Sequence, residues 1–123
     1  MAIELNHTIV NATDKRASTR FHLRILGLPT SQPYLPFQVG ELSLEFADTH
    51  EVTPQHFAFL VGEDEFDADL GRVRERGLDY WADPFHRKPG AINTNDGGRG
   101  VYRNDPDGHI LEIITRPHVS GQS

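Results

Sequence analysis

Apolar and polar positions alternate over "ELNHTIV" (4–10), "ELSLEFAD" (41–48) and "QHFAFLV" (55–61). A period of two, carried by β-branched and aromatic residues, predicts half-buried strands. Between the first two, Ala17, Phe21 and Ile25 recur at four-residue steps. That spacing predicts a helix, capped by Thr13 or Asp14 and stopped by a left-handed residue at Gly27. The stretch 29–40 carries prolines at 29, 33 and 36 and predicts a loop or an edge strand. After the strand at 55–61, the acidic run 63–69 marks a helix start, where the macrodipole favours negative charge. Phe66, Leu70 and Val73 form its apolar stripe, Arg72, Arg74 and Arg76 fall in its last turns, and Gly77 ends it. "LDYWAD" (78–83) predicts another strand. A polar loop follows, and then "GVYRN" (100–104) and "HILEIIT" (109–115) predict two strands joined by a turn at 105–108.

The order repeats. His7 and His56 both sit in first strands, 49 residues apart, and Gly27 and Gly77 both close helices, 50 apart. "LEFA" (44–47) and "LEII" (111–114) both lie in last strands. One unit used twice predicts an α+β fold of two tandem βαβββ modules, each packing its helix on one face of its sheet. The other faces are left to curl around a central cleft. The chain is expected to be a single domain, 1–123, with module 1 at about 1–50, module 2 at about 51–117 and a short tail at 118–123.

Within this frame one residue is out of keeping. Glu112 stands among Ile110, Leu111, Ile113 and Ile114. Alternation turns Leu111 and Ile113 to the core and Glu112 to the opposite side. On an antiparallel sheet such a residue ordinarily faces water. Yet Glu112 shares its module with His56, and the repeat pairs His56 with His7 and Glu112 with Glu45. Two imidazoles and one or two carboxylates converging on the free sheet faces would compensate a divalent cation. That donor set suits one ion of Fe, Mn, Ni, Co or Zn and leaves positions open for a substrate. His22, His50, His86, His109 and His118 have no repeat partner and are expected at the surface or in turns.

Composition narrows the function. The chain has 123 residues and a net charge of -6, which opposes a nucleic-acid partner. It has no cysteine, so thiolate metal sites and disulfides are excluded. No run reaches the ~20 apolar residues of a membrane span, and "MAIELNHTIV" lacks the features of a signal peptide. A cytoplasmic protein without a membrane partner is expected.

Together, "LNHTIV", the helix ending "RILGL", "QHFAFLV" and above all "GVYRNDPDGHILEI" resemble the vicinal oxygen chelate superfamily. This is the group of glyoxalase I, fosfomycin-resistance enzymes, extradiol dioxygenases and bleomycin-binding proteins. The resemblance covers nearly the whole chain. It implies paired βαβββ modules, a homodimer, and one divalent metal ion held by His7, His56 and Glu112, with Glu45 at an optional fourth place. The metal would chelate adjacent oxygens of a small-molecule substrate and supply Lewis-acid catalysis. Departures are informative. The fosfomycin enzymes carry a threonine two residues after the first histidine, where this chain has Ile9. Glyoxalase I carries an arginine four residues after it, where this chain has Asn11. Extradiol dioxygenases carry a tyrosine matched by Tyr102, but their acid/base histidine would fall at 93–95, on Asn93, Thr94 and Asn95.

The expectation is therefore a metal-dependent enzyme of dioxygenase, lyase or isomerase type, with Tyr102 orienting substrate or assisting proton transfer. Arg87, Lys88, Asn95 and Arg99, in the glycine-rich loop 86–100, are expected to meet the substrate. The alternative is a metal-free protein that sequesters a drug or metabolite, as the bleomycin-binding relatives do.

Overall fold

A computed structural model describes residues 3–29 and 36–118. The chain forms two compact units, Met1–Thr53 and Pro54–Ser123. In the first, strand β1 (His7–Ala12) leads into helix α1 (Lys15–Leu26), followed by β2 (Phe37–Val39) and β3 (Leu42–Asp48). In the second, β4 (His56–Leu60) leads into α2 (Glu63–Glu75), followed by β5 (Gly100–Asn104) and β6 (Ile110–Ile114). Each unit has a three-stranded sheet with the same plan. The last strand is central, parallel to the first and antiparallel to the strand before it, in the orders β1-β3-β2 and β4-β6-β5. This is the repeated α+β plan that the spacing predicts. None of the described helices is long and apolar enough to cross a membrane.

The helix ends follow the expected chemistry. Asp14 caps α1 by accepting from the Arg16 and Ala17 N–H groups at 3.1 Å. Gly27 closes α1 at φ 68°, a left-handed conformation that glycine adopts without steric cost. The acidic first turn of α2 is Glu63, Asp64 and Glu65, and Phe66, Leu70 and Val73 are buried as its stripe predicts. In α1 the buried face differs from the expected one. It holds Ser18, Thr19, His22, Leu23 and Ile25, whereas Ala17 and Phe21 are only partly covered. Hydropathy missed this face because three of its five residues, Ser18, Thr19 and His22, are polar. Thr19 satisfies its hydroxyl locally, donating to the Lys15 carbonyl at 2.7 Å, and can then be buried.

Two more expectations are revised, and a third is met where the described residues reach it. The strand at 78–83 reduces to an isolated bridge: Trp81 pairs with Tyr102 on one side and Pro89 on the other. Asp83 explains the break, since its carboxylate accepts from the backbone N–H groups of Phe85, Arg87 and Lys88 and pulls the chain into a turn. The expected connection at 29–40 lies partly outside the described residues; its end is the edge strand β2. Two of the histidines expected at the surface, His22 and His109, are buried instead, at 1% and 0% exposure. His22 packs its ring 4.7 Å from that of Phe46. His109 accepts the Gln55 N–H on Nδ1 at 2.9 Å, which ties the start of β4 to the start of β6.

The core of the second unit lies between α2 and its sheet, where Leu111 and Ile113 are fully covered. Arg103 of β5 faces the same layer at 0% exposure and is held by Asp69 of α2, one of its bonds being 2.7 Å from Nη2 to Oδ1. Burying two charges is tolerated only when they meet, and this pair fastens helix to sheet.

Candidate metal and substrate site

On the sheet face opposite α2, the second unit carries a row of polar side chains, and strand register dictates it. Tyr102 of β5 pairs with Glu112 of β6, which pairs with Ala58 of β4. Trp81 pairs with Tyr102 from the other side. Directly opposed residues share a face, and His56, two positions before Ala58, shares it too. Leu111 and Ile113 are therefore committed to the core, while His56, Glu112, Tyr102 and Trp81 stand in line on the opposite side.

The contacts match the register. Glu112 Oε1 lies 2.9 Å from His56 Nε2, and the Tyr102 hydroxyl donates to Glu112 Oε2 at 2.9 Å. The His56 and Tyr102 rings meet edge to face at 5.8 Å. The Glu112 side chain is only 12% exposed and that of His56 45% exposed, so the carboxylate sits below the imidazole, sheltered from water. Burial, reinforced by the bond to Glu112 and its negative charge, raises the Tyr102 phenol well above its ordinary value of 10. At neutral pH it is a donor. At the end of the row, the Trp81 and His86 rings stack at 3.6 Å and 9°.

Whether His56 and Glu112 fit a cation can be judged from their spacing. Imidazole nitrogen and carboxylate oxygen each bind a divalent ion at about 2.0–2.1 Å, so two such donors at right angles lie about 2.9 Å apart. The observed separation of 2.9 Å fits neighbouring positions around one ion. It is equally that of a hydrogen bond, which holds the two side chains together when no ion is bound. In the first unit, His7 pairs with Ser43 and Glu45 with Ile9, so His7, Ile9, Ser43 and Glu45 share one face. His7, Ser43 and Glu45 line a shallow pocket there with Asn6 and Pro36. His7 and Glu45 are exposed, and His7 Nδ1 lies 2.8 Å from the Asn6 side-chain oxygen. Among the described residues, no three His, Asp or Glu side chains stand together as a metal cage.

Beside Glu112 and Tyr102 opens a cavity of about 80 Å³, whose wall includes Asn93, Asn95, Asp96, Arg99, Arg116 and His118. Of the loop residues expected to meet substrate, Asn95 and Arg99 are in this wall; Arg87 and Lys88 are not. Arg99 is bonded to Glu63 and Asp67 of α2 at 2.9 and 2.8 Å and covers the Phe66 ring at 4.4 Å. Its guanidinium thus anchors the loop to the helix, and this bond, with the charge behind it, holds the Asp67 carboxyl below its ordinary value. Arg87 and Lys88 are exposed and use their backbone N–H groups on Asp83. Gly100 is needed here for its lack of a side chain, because a Cβ would lie 2.8 Å from the Asn93 side-chain oxygen. Sequence reasoning missed the contribution of Asp96, Arg116 and His118. The loop 93–96 and the segment after β6 are brought together only by the pairing of β5 with β6, and no local pattern marks that.

No family model matches the chain. Among solved structures, the chain is similar to the oxidase ChaP-H1, with 62% sequence identity over 94% of this chain and 98% of that one and a TM-score of 0.88. It is similar to the oxidase ChaP-H2, with 57% identity over 99% of this chain and 100% of that one and a TM-score of 0.90. It is also 27% identical over 124 residues to the glutathione transferase FosA of Serratia marcescens, a match covering 92% of this chain and 81% of that one.

Proposed function

The chain belongs to the vicinal oxygen chelate superfamily, and from that premise we propose that it is a metal-dependent oxidase or dioxygenase acting on a small molecule with two adjacent oxygens. The observation that carries this reading is the bridge made by Glu112. A sheltered carboxylate offers one oxygen to an imidazole and the other to a phenol, on the sheet face that the core does not use. The kinship with two oxidases, each more than half identical in sequence, favours oxidative chemistry over lyase or isomerase chemistry. Ile9, where the fosfomycin enzymes have threonine, weighs against fosfomycin as the substrate, and Asn11, where glyoxalase I has arginine, weighs against glutathione-dependent activity.

On this reading His56 and Glu112 bind the cation, His7 is a further ligand and Glu45 an optional one. The bound ion supplies Lewis-acid polarisation of the substrate's oxygens. Tyr102 has two tasks. Its hydroxyl fixes the orientation of the Glu112 carboxylate, and its ring walls the cavity. Asn95 and Arg99 form the polar part of that wall, and Arg87 and Lys88 extend polar contact along the loop. The cavity of about 80 Å³ holds several waters but is smaller than the ~300 Å³ or more that encloses a drug-sized ligand. The second unit by itself therefore grips only the reacting end of the substrate. The protein is proposed to work as a homodimer in the cytoplasm.

Elemental analysis of the purified protein tests this. One transition-metal ion per chain is expected, lost in His56→Ala and in Glu112→Ala and lowered in His7→Ala. Oxygen uptake with catechols is expected from the loaded protein. Unchanged metal occupancy in Glu112→Ala would remove the assignment. A chain that takes up no transition metal even after reconstitution would instead be a sequestering binder.

A further inference from the structure

A substrate that binds through hydroxyl oxygens has to lose a proton, and the cavity beside Glu112 offers few places for it. Glu112 directs one oxygen to His56 and the other to Tyr102. The Tyr102 hydroxyl already donates its proton to Glu112 Oε2 at 2.9 Å. Asn93 donates its amide N–H to the Ala82 carbonyl at 2.8 Å and accepts the Asn95 N–H on its Oδ1 at 3.2 Å. Arg99 and Arg116 are cations with no lone pair to offer. Asn95 is a poor proton acceptor at any ordinary pH, and Ile114 is apolar.

His118 and Asp96 remain, and they face each other. Asp96 sits in a left-handed conformation, φ 58°, in the short turn Asn95–Gly97. Its side chain is 10% exposed, and its Oδ2 lies 3.6 Å from His118 Nδ1. That separation is longer than a hydrogen bond. It places a sheltered anion on one side of an imidazole whose Nε2 is free of it. A non-glycine residue in this backbone region costs roughly 1 kcal/mol or more, so the turn spends stability to present a carboxylate here. Among the residues lining the cavity, His118 is the one imidazole.

We propose that His118 is the general base of this site and that Asp96 is its positioning residue. The substrate is a vicinal diol of catechol type. Its O–H bond breaks, the electron pair stays on oxygen, and the proton moves to His118 Nε2. The Asp96 carboxylate then faces the imidazolium. The pair supplies a base that the loop lacks at 93–95, where Asn93, Thr94 and Asn95 stand. This assignment rests on the reading of the site as one that binds vicinal oxygens beside a cation.

The test uses the full chain loaded with Zn(II), which is redox-inert, and 4-nitrocatechol, whose visible spectrum separates its singly and doubly ionised forms. At pH 7 the unmodified protein is expected to hold the probe doubly ionised. His118→Gln is expected to hold it singly ionised with unchanged zinc content, and Asp96→Asn to give a mixture. The same ionisation state in His118→Gln as in the unmodified protein overturns the base assignment alone. Loss of zinc in His118→Gln also overturns it, because His118 would then be a ligand. Failure of the loaded, unmodified protein to bind the probe overturns the reading of the site and this assignment with it.

Discussion

His109 is a buried side chain whose role is structural. It is fully buried, and its Nδ1 receives the Gln55 N–H one residue before His56. His109→Ala removes that acceptor and opens a cavity. A loss of about 1–3 kcal/mol in unfolding free energy is expected, read from urea denaturation. Metal content, normalised to folded protein, is expected to fall as well, because the start of β4 loses its tether. The same residue marks a limit of local reading. Its neighbours Gly108 and Ile110 give no sign of burial, and a histidine after a turn ordinarily faces water. Glu112 was legible for the opposite reason: an acid at an alternating position inside an apolar strand has only one face to occupy.

Helix α2 and strand β5 are joined by the buried Asp69–Arg103 pair. Removing one partner leaves the other charged and without its counter-ion in a dry layer. Asp69→Ala is therefore expected to cost about 3–5 kcal/mol, seen as a lowered thermal midpoint. The double variant Asp69→Leu with Arg103→Met is expected to recover much of it. The turn after Trp81 responds to acid. Desolvation pushes the Asp83 carboxyl up, but the backbone N–H groups of Arg87, Lys88 and Phe85 and the charge of Arg87 outweigh it, and the carboxyl ends below its ordinary 3.8. A depressed folded value means the turn gains from ionised Asp83 at pH above 3.8 and loses that gain as pH falls through the lower folded value. Hydrogen exchange at the Arg87 and Lys88 amides, compared with an Asp83→Asn control, is expected to show protection at pH 5 that is still present at 3.8 and is lost on further acidification. Protection no greater at pH 5 than in the Asp83→Asn control would contradict this. Most elements were legible because a two-residue or four-residue period survives in them. The strand expected at 78–83 was not, since side-chain capture of three backbone donors by Asp83 overrides strand propensity.

At the scale of the molecule, two units share one plan, and each carries a histidine on its first strand and a glutamate on its last: His7 and Glu45 in the first, His56 and Glu112 in the second. An ion that binds the folded chain alone adds to its stability by mass action, about 2.7 kcal/mol at a hundredfold excess over the dissociation constant. Calorimetry with and without Mn(II) is expected to show a higher midpoint with the ion, and no shift in Glu112→Ala. The sequence by itself determined the repeat, the helix caps, which residues of β6 face inward, and the outward place of Glu112, because these depend on periodicity and on interactions within a few residues. Only the tertiary structure decided which side chains meet Glu112, that His109 and Arg103 are core, and that Asp96 and His118 share its cavity. Those facts depend on strand register and loop closure across up to 56 positions of chain, and no local pattern of apolar and polar residues encodes a distance of that kind.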